Sequence, residues 1–111
     1  MSKPTAILQG TLDLLILSIL KLEPKTGWAL SQRLRQMSNE TLQVSHGSLY
    51  PALHKLEAEG WIIGAWQESP ESGRPSKIYR LTPAGEAQLR TEAENWSRLS
   101  AAVNAIVEPA S

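Results

Sequence analysis

Apolar residues recur at helical spacing in two stretches within the first third of the chain. Thr11 can cap a first helix, and Asp13 would then lie in its first turn, where a negative charge suits the helix dipole. The apolar face of this helix is wide enough to be buried on most sides, and it comprises Leu12, Leu15, Ile16, Ile19 and Leu20. The segment EPKTG at 23–27 ends that helix, and Thr26 can cap a second one. The inner face of this second helix is predicted to carry Leu30, Leu34 and Met37.

A third helix is predicted from about His46 to Glu59, with Ser45 as a plausible cap. One face of it carries apolar residues at helical spacing, namely Leu49, Leu53 and Leu56. Pro51 lies inside this run, where a proline removes a backbone donor and crowds the preceding turn. If Ser45 is the cap, Pro51 falls in the second turn of the helix. If the helix begins nearer Ser48, Pro51 falls in the first turn, where a missing N–H costs nothing.

The pattern changes from helical to strand-like after Gly60. The segments WIIGAWQ and SKIYRLT are rich in strand formers, and the turn-rich connection ESPESGRP between them predicts a hairpin. Thr82 then caps a fourth helix, with Pro83 at its first position. A narrow apolar seam runs along this helix for over five turns and consists of Leu89, Ala93, Trp96, Leu99, Val103 and Ile106. So small a core does not need such a long one-sided helix, and the seam therefore predicts a partner, most simply the same helix of a second copy.

Three helices, a hairpin and a long helix predict a mainly α fold of the winged helix-turn-helix class. Residues 1–82 would form the winged helix-turn-helix DNA-binding domain, and residues 83–111 would form a C-terminal dimerisation helix of the same compact unit. The second and third helices would make the helix-turn-helix pair, although their connection is longer than the usual short turn. The 111 residues suffice for one compact domain with a modest core.

The composition narrows the range of functions. The formal net charge is zero, so general attraction to a polyanion is not indicated, although the stretch from Lys25 to Lys55 is basic and the tail is acidic. There are no cysteines, no G-x-S-x-G motif and no glycine-rich phosphate loop. His46 and His54 have no nearby ligands at metal spacing, so we expect no metal site. Because the catalytic motifs are also missing, we expect no enzymatic activity and no other cofactor. No signal peptide is apparent, and LDLLILSILKL is about half the length of a membrane span, so a cytoplasmic location is expected.

The segment GSLYPALHKLEAEGWI is similar to the third-helix signature of the PadR family of bacterial transcriptional regulators, in its short form. GTLDLLILSIL resembles the first helix of that family, and GWAL stands where the family usually has Gly-Tyr-Gly or Gly-Tyr-Glu. GRPSKIYRLTPAG resembles its wing and the start of its last helix. The resemblance spans about Leu8 to Leu99 and implies a dimeric DNA-binding repressor of the bacterial cytoplasm. In some short members of the family, a flat aromatic ligand sits between the subunits.

The outward positions of the third helix are candidates for DNA contact, because the N-terminal half of such a helix enters the major groove. Tyr50 offers a hydroxyl to a phosphate or a base, and its alternative role is packing against the second helix. Ser48 and Lys55 are candidate phosphate contacts, although Lys55 could equally be a solvated surface lysine. His54 could contact either a phosphate or a base.

The predicted tip of the wing, at residues 73–75, and the strand that follows it supply two further candidates. Arg74 comes first, because arginine suits a narrow and negative minor groove, and Lys77 comes second. Arg80, in the second predicted strand, could pair with an acid instead of contacting DNA. Glu68 and Glu71 in the same loop would weaken a purely electrostatic grip on DNA.

The four tryptophans divide into two groups. Trp28, Trp61 and Trp66 are predicted to be core or near-core anchors, since large aromatic residues dominate small cores. Trp96 lies on the seam of the last helix, where two copies could face each other and leave a flat slot for a planar molecule. Its position resembles that of the ligand-stacking tryptophan of some short PadR members, so it is the candidate ligand-binding residue. The alternative is that Trp96 fills the core of the dimer.

Two functions remain open at this point. The first is a homodimeric repressor of a pseudo-palindromic operator in double-stranded DNA, with release by a planar aromatic effector at the dimer interface as a further option. The second is a winged-helix module for protein interaction or scaffolding, without sequence-specific DNA binding. The neutral net charge favours the second a little, whereas the basic and tyrosine-bearing third helix and the arginine-bearing wing favour the first.

Overall fold

A computed structural model describes residues 5–6, 9–68 and 72–109 of the chain. The described residues form four α-helices and five short strands. Their order is β1 (Thr5–Ala6), α1 (Gln9–Leu22), β2 (Lys25–Thr26), α2 (Gly27–Met37), β3 (Leu42–Gln43), α3 (His46–Ala58), β4 (Ile62–Glu68), β5 (Pro75–Leu81) and α4 (Pro83–Val107). The predicted arrangement of three helices, a hairpin and a long last helix is confirmed.

Helix α1 is the centre of the core, because it contacts α2, α3, α4 and β5. It begins at Gln9, so the prediction that Thr11 caps it was wrong, and Asp13 lies beyond its first turn. Asp13 is only 7% exposed, although its side chain carries an acid. Its neighbours Leu12, Ile16 and Leu17 are fully buried. Helix α1 is therefore buried on most of its sides, as its wide apolar face predicted, and Asp13 is buried together with the apolar residues.

Ser45 caps α3, because its side-chain oxygen accepts the backbone N–H of Ser48 at 3.2 Å. The helix therefore starts at His46 and Pro51 lies in its second turn, as the earlier of the two predicted starts requires. The N–H that Pro51 lacks would have bonded the carbonyl of Gly47. Pro51 is exposed, whereas the inner face of the helix is buried and comprises Leu49, Ala52, Leu53 and Leu56. The backbone defect is thus confined to the outer side of the helix.

The wing is a hairpin of β4 and β5, with registers that run from Ile62 opposite Leu81 to Glu68 opposite Pro75. A third strand extends this sheet, because β2 pairs antiparallel with β5 and places Thr26 opposite Ile78. The sequence had predicted only a helix break at 23–27, since two residues leave no periodic signal. A separate parallel pair joins β1 to β3. Through β2, the wing is fastened to the residue that caps α2.

The buried residues of helix α4 are Gly85 and Leu89, and both lie near its start. The rest of its apolar seam is exposed and comprises Ala93, Trp96, Leu99, Val103 and Ile106. Met37, which was predicted to line the inner face of α2, is also exposed, so that prediction was wrong.

None of the helices in the described ranges is both long enough and apolar enough to cross a membrane.

Candidate nucleic-acid interface

The outer side of α3 carries Tyr50 and His54, and both side chains reach solvent. Tyr50 is 38% exposed, and its ring meets the ring of His46 edge-on with 5.7 Å between the centroids. The hydroxyl of Tyr50 also approaches the start of α2, where a Cβ at Gly27 would lie only 3.0 Å from it. Tyr50 therefore packs against α2 on one side and offers its other side to a partner. Ser48 is half-buried, and its hydroxyl accepts a hydrogen bond from Ser45.

Lys55 forms an ion pair with Asp13 of α1. The carboxylate of Asp13 is nearly buried, whereas about half of the Lys55 side chain remains exposed. A buried carboxylate without a cation would be costly, so neutralising Asp13 is a structural task for Lys55. Any phosphate contact by Lys55 would compete with this ion pair. Residues 13 and 55 are 42 positions apart, so no local pattern indicated that they would be close in the fold.

Lys77 of β5 pairs with Glu57 of α3, with 2.9 Å between Nζ and Oε1. The other carboxylate oxygen of Glu57 accepts the backbone N–H of Gly64 in β4 at 3.2 Å. The hydrogen bond from Lys77 lowers the pKa of Glu57, and the same bond raises the pKa of Lys77. Both groups therefore stay charged at neutral pH. Glu57 therefore connects α3 to both strands of the wing. The ammonium of Lys77 is paired with Glu57 in the free protein.

Arg74 lies in the exposed turn of the wing, directly after Gly73. Gly73 has a φ of 71°, a backbone conformation that glycine adopts without strain. The backbone N–H of Arg74 donates to the hydroxyl of Ser72 at 3.3 Å, which helps to shape this turn. Arg74 is thus exposed in the described part of this turn, whereas Pro75, which was predicted to belong to the tip, is the first residue of β5.

Two tryptophans are placed differently from the prediction. Trp28 is 60% exposed and Trp66 is 71% exposed, so neither is a core anchor, whereas Trp61 packs against the core. Trp28 is the second residue of α2 and points away from the three-helix core. Trp66 continues the face of β4 that begins with the buried Ile62, but the strand has by then run beyond the core. Period-two alternation predicts the face on which Trp66 lies, and it gives no indication of where the core ends.

These two indoles line one groove of about 590 Å³ between α3 and the wing. We call it the wing groove, and its remaining lining residues are Thr26, Gly27, Tyr50, His54, Ser72, Ser76, Lys77 and Tyr79. It combines three of the predicted contact residues, Tyr50, His54 and Lys77, with aromatic side chains that the sequence had assigned to the core. Lys55 and Arg74 are not part of its lining.

Trp96 lies in a second groove, of about 330 Å³, between the first turns of α1 and the middle of α4. Nearly half of its surface is exposed. The groove also carries Gly10, Thr11, Leu14, Glu92, Asn95 and Leu99. Trp96 and Leu99 in its lining belong to the exposed seam of α4.

A buried set of three helices, with the outer face of the third beside a β-hairpin wing, defines the winged helix-turn-helix class of DNA-binding proteins. A model of the Transcriptional regulator PadR-like family matches residues 16–91. Because this match covers more than half of the chain, the protein belongs to the PadR-like family. The resemblance that the sequence suggested is thereby confirmed.

Similar proteins and solved structures agree with this assignment. A transcriptional regulator of Mycobacterium tuberculosis is 42% identical over 55 residues, which cover 50% of each chain. The structure of a transcriptional regulator from Clostridium thermocellum superposes with a TM-score of 0.82 at 27% identity, covering 90% of this chain and 96% of that one. A PadR family regulator from Clostridium difficile has a TM-score of 0.74 at 25% identity, covering 86% and 97%. Members of this family are transcriptional regulators and not enzymes, and the chain is accordingly a DNA-binding regulator.

Proposed function

We propose that the protein is a homodimeric repressor that binds a pseudo-palindromic operator in the bacterial cytoplasm. The observation that carries this proposal is the exposed outer face of α3, which presents Tyr50 and His54 beside a wing that presents Arg74. Helix α3 would enter the major groove, and the wing would follow the adjacent minor groove or backbone. Winged-helix domains 1–82 of two copies would be held together by residues 83–111, so that two copies of α3 meet successive half-sites.

The proposed DNA contacts differ in whether an ion pair of the free protein must be broken to form them. Ser48, Tyr50 and His54 sit in the N-terminal two thirds of α3 and reach DNA without breaking an ion pair. Arg74 would supply the main electrostatic contact of the wing. Lys55 and Lys77 would have to leave Asp13 and Glu57, respectively, to bind a phosphate. We therefore expect the salt dependence of binding to be modest, since each newly neutralised phosphate contributes a log–log slope of about −0.9.

We expect Tyr50→Ala and Arg74→Ala each to weaken operator binding by about tenfold, which corresponds to about 1.4 kcal/mol. Arg74→Ala should also make the salt slope shallower by about 0.9, because one phosphate contact is lost. Lys77→Ala should change the slope less, because its ammonium is already paired with Glu57. Titrations of a fluorescent duplex at several salt concentrations measure both quantities. Unchanged binding by both Tyr50→Ala and Arg74→Ala would remove these residues from the interface.

A planar aromatic effector is proposed to bind beside Trp96 at the dimer interface. The groove between α1 and α4 supports this, because its indole is half-exposed and the groove opens onto the seam of α4. An effector could change the angle between the two copies of α3. The effector can shift the equilibrium between two such angles only as far as its affinities for the two arrangements differ.

Trp96→Ala should abolish the binding of planar aromatic dyes while the protein remains folded. The measurement is quenching of tryptophan fluorescence, together with the oligomeric state by light scattering. Trp66→Ala is the matched control, because it removes another exposed indole that lies outside this groove. Dye binding that survives Trp96→Ala would place the ligand elsewhere. Loss of the dimer would instead support the packing role of Trp96.

A second candidate function is a winged-helix module that binds a protein partner. The observation that favours it is the pairing of lysines on the DNA-facing side, Lys55 with Asp13 and Lys77 with Glu57, in a chain of zero net charge. These pairs leave less positive charge for a polyanion than the sequence suggests. Enrichment of specific duplexes by the protein would decide against this candidate.

A further inference from the structure

Two exposed indoles flank the wing groove from opposite elements, one on the first turn of α2 and one on β4. Both residues are largely exposed to solvent, 60% for Trp28 and 71% for Trp66. A single exposed apolar residue needs no explanation, but two tryptophans that line one groove form a patch of the kind that marks a binding surface. Tryptophan is also among the residue types enriched in interface anchors.

The groove lies where a DNA strand would have to pass. Its lining joins Tyr50 and His54 of α3 to Ser72, Ser76 and Lys77 of the wing. In a duplex, one sugar–phosphate strand separates the major groove from the neighbouring minor groove. A protein that places a helix in one groove and a wing in the other therefore straddles that strand. The space between α3 and the wing is this groove.

The electrostatics of the groove favour a largely uncharged grip. Lys77, the lysine in this lining, is paired with Glu57 at 2.9 Å, and Lys55 of the same helix is paired with Asp13. A deoxyribose ring offers an apolar C–H face that an indole can cover. The indole N–H can in addition donate to a phosphate oxygen without carrying a charge.

We propose that Trp28 and Trp66 clamp one strand of the DNA duplex, each packing its indole against deoxyribose as the strand runs through the wing groove. This inference rests on the proposed DNA-binding function and adds two contacts to it. The indoles supply affinity that does not depend on released counterions. Operator binding is therefore less sensitive to salt than the affinity alone would suggest.

The test compares Trp28→Ala and Trp66→Thr with the wild-type protein on a mixed-sequence duplex that is long enough for two half-sites, starting at about 50 mM salt. Alanine suits a helix and threonine suits a strand, so both changes respect the local backbone. Each variant should bind about tenfold more weakly, the size of one good aromatic contact, with an unchanged salt slope. DNA should quench the indole fluorescence of the wild-type protein, and the quenching should shrink in each variant.

Ile63→Thr is the matched control, because Ile63 is a 53% exposed residue of β4 on the strand face opposite to Trp66. It removes exposed apolar surface from the same strand without touching the wing groove, and it should bind DNA like the wild-type protein. Thermal unfolding of every variant checks the fold. If Trp28→Ala or Trp66→Thr is unfolded, Trp28→Phe and Trp66→Phe replace them, and these should show smaller but measurable losses of affinity.

The possible failures are distinguishable. If the wild-type protein binds and folded tryptophan variants bind equally well, the indole clamp is overturned and the proposed function stands. A loss of affinity accompanied by a shallower salt slope would also overturn it, because the substitution would then have acted by displacing a cation. If the wild-type protein binds no duplex, both the proposed function and the clamp are contradicted.

Discussion

The double variant Leu99→Glu/Val103→Glu should be a folded monomer. Both side chains are about half-exposed on the seam of α4, in line with Trp96 and Ile106. Neither contributes to the core of the domain, so glutamate at these positions leaves the folded monomer intact. In a dimer that pairs the seams, four carboxylates would be buried against apolar surface and against one another. Each buried ion costs several kcal/mol, so the dissociation constant should rise more than about a thousandfold.

Light scattering after size-exclusion chromatography measures this effect directly, with circular dichroism as the check on helical content. Ala101→Glu/Ala105→Glu is the matched control, because these exposed residues lie on the opposite face of the same helix. It adds the same charge and should leave the dimer intact. A dimer that survives Leu99→Glu/Val103→Glu would show that the seam of α4 is not the interface between copies.

Gly85→Ala should cause the largest loss of stability. Gly85 is buried in the first turn of α4, and its N–H donates to the capping hydroxyl of Thr82 at 3.0 Å. A Cβ at this position would lie 2.7 Å from Cδ1 of Leu81 and 2.9 Å from the carbonyl carbon of Trp61, and closer still to the carbonyl oxygen. That oxygen accepts the N–H of Thr82 at 3.1 Å, so moving the Trp61 carbonyl away would break this hydrogen bond of the capping residue.

We expect this substitution to lower the free energy of unfolding by about 3 kcal/mol, the upper part of the usual range for overpacking. The unfolding midpoint should fall by roughly 12 °C or more. Gly47→Ala is the control, since it lies in the first turn of α3 with its nearest contact at an ordinary 3.8 Å. Alanine is the better helix former, so Gly47→Ala should be neutral or slightly stabilising. A wild-type midpoint for Gly85→Ala would mean that α4 is not seated against Trp61 as described.

The parts of the fold that could be predicted from the sequence are those with local or periodic signals. The apolar spacing of Leu49, Leu53 and Leu56 fixed the inner face of α3 and therefore also the outward position of Tyr50 and His54. Turn-rich residues between two runs of strand formers marked the wing. The two-residue strand β2 carries no such signal, because its pairing with β5 is formed between residues more than 50 positions apart.

The sequence predicted residues of the candidate site, but it did not predict the ion pairs that two of them form. Lys55 and Lys77 looked like available cations, because nothing in the sequence brings Asp13 beside one or Glu57 beside the other. Trp28 and Trp66 were assigned to the core on the general tendency of large aromatics to be buried. Their exposure depends on where the core ends relative to α2 and β4, which is a property of the tertiary structure.

Selection of bound duplexes from random DNA at moderate salt tests the proposed function most directly. A homodimeric winged-helix regulator should enrich a pseudo-palindromic sequence whose half-site centres are about 10 base pairs apart or a multiple of that distance. The enriched duplex should bind Tyr50→Ala and Arg74→Ala more weakly than the wild-type protein. If no duplex is enriched and the protein instead recovers a protein partner, the DNA-binding assignment of α3 and the wing is contradicted.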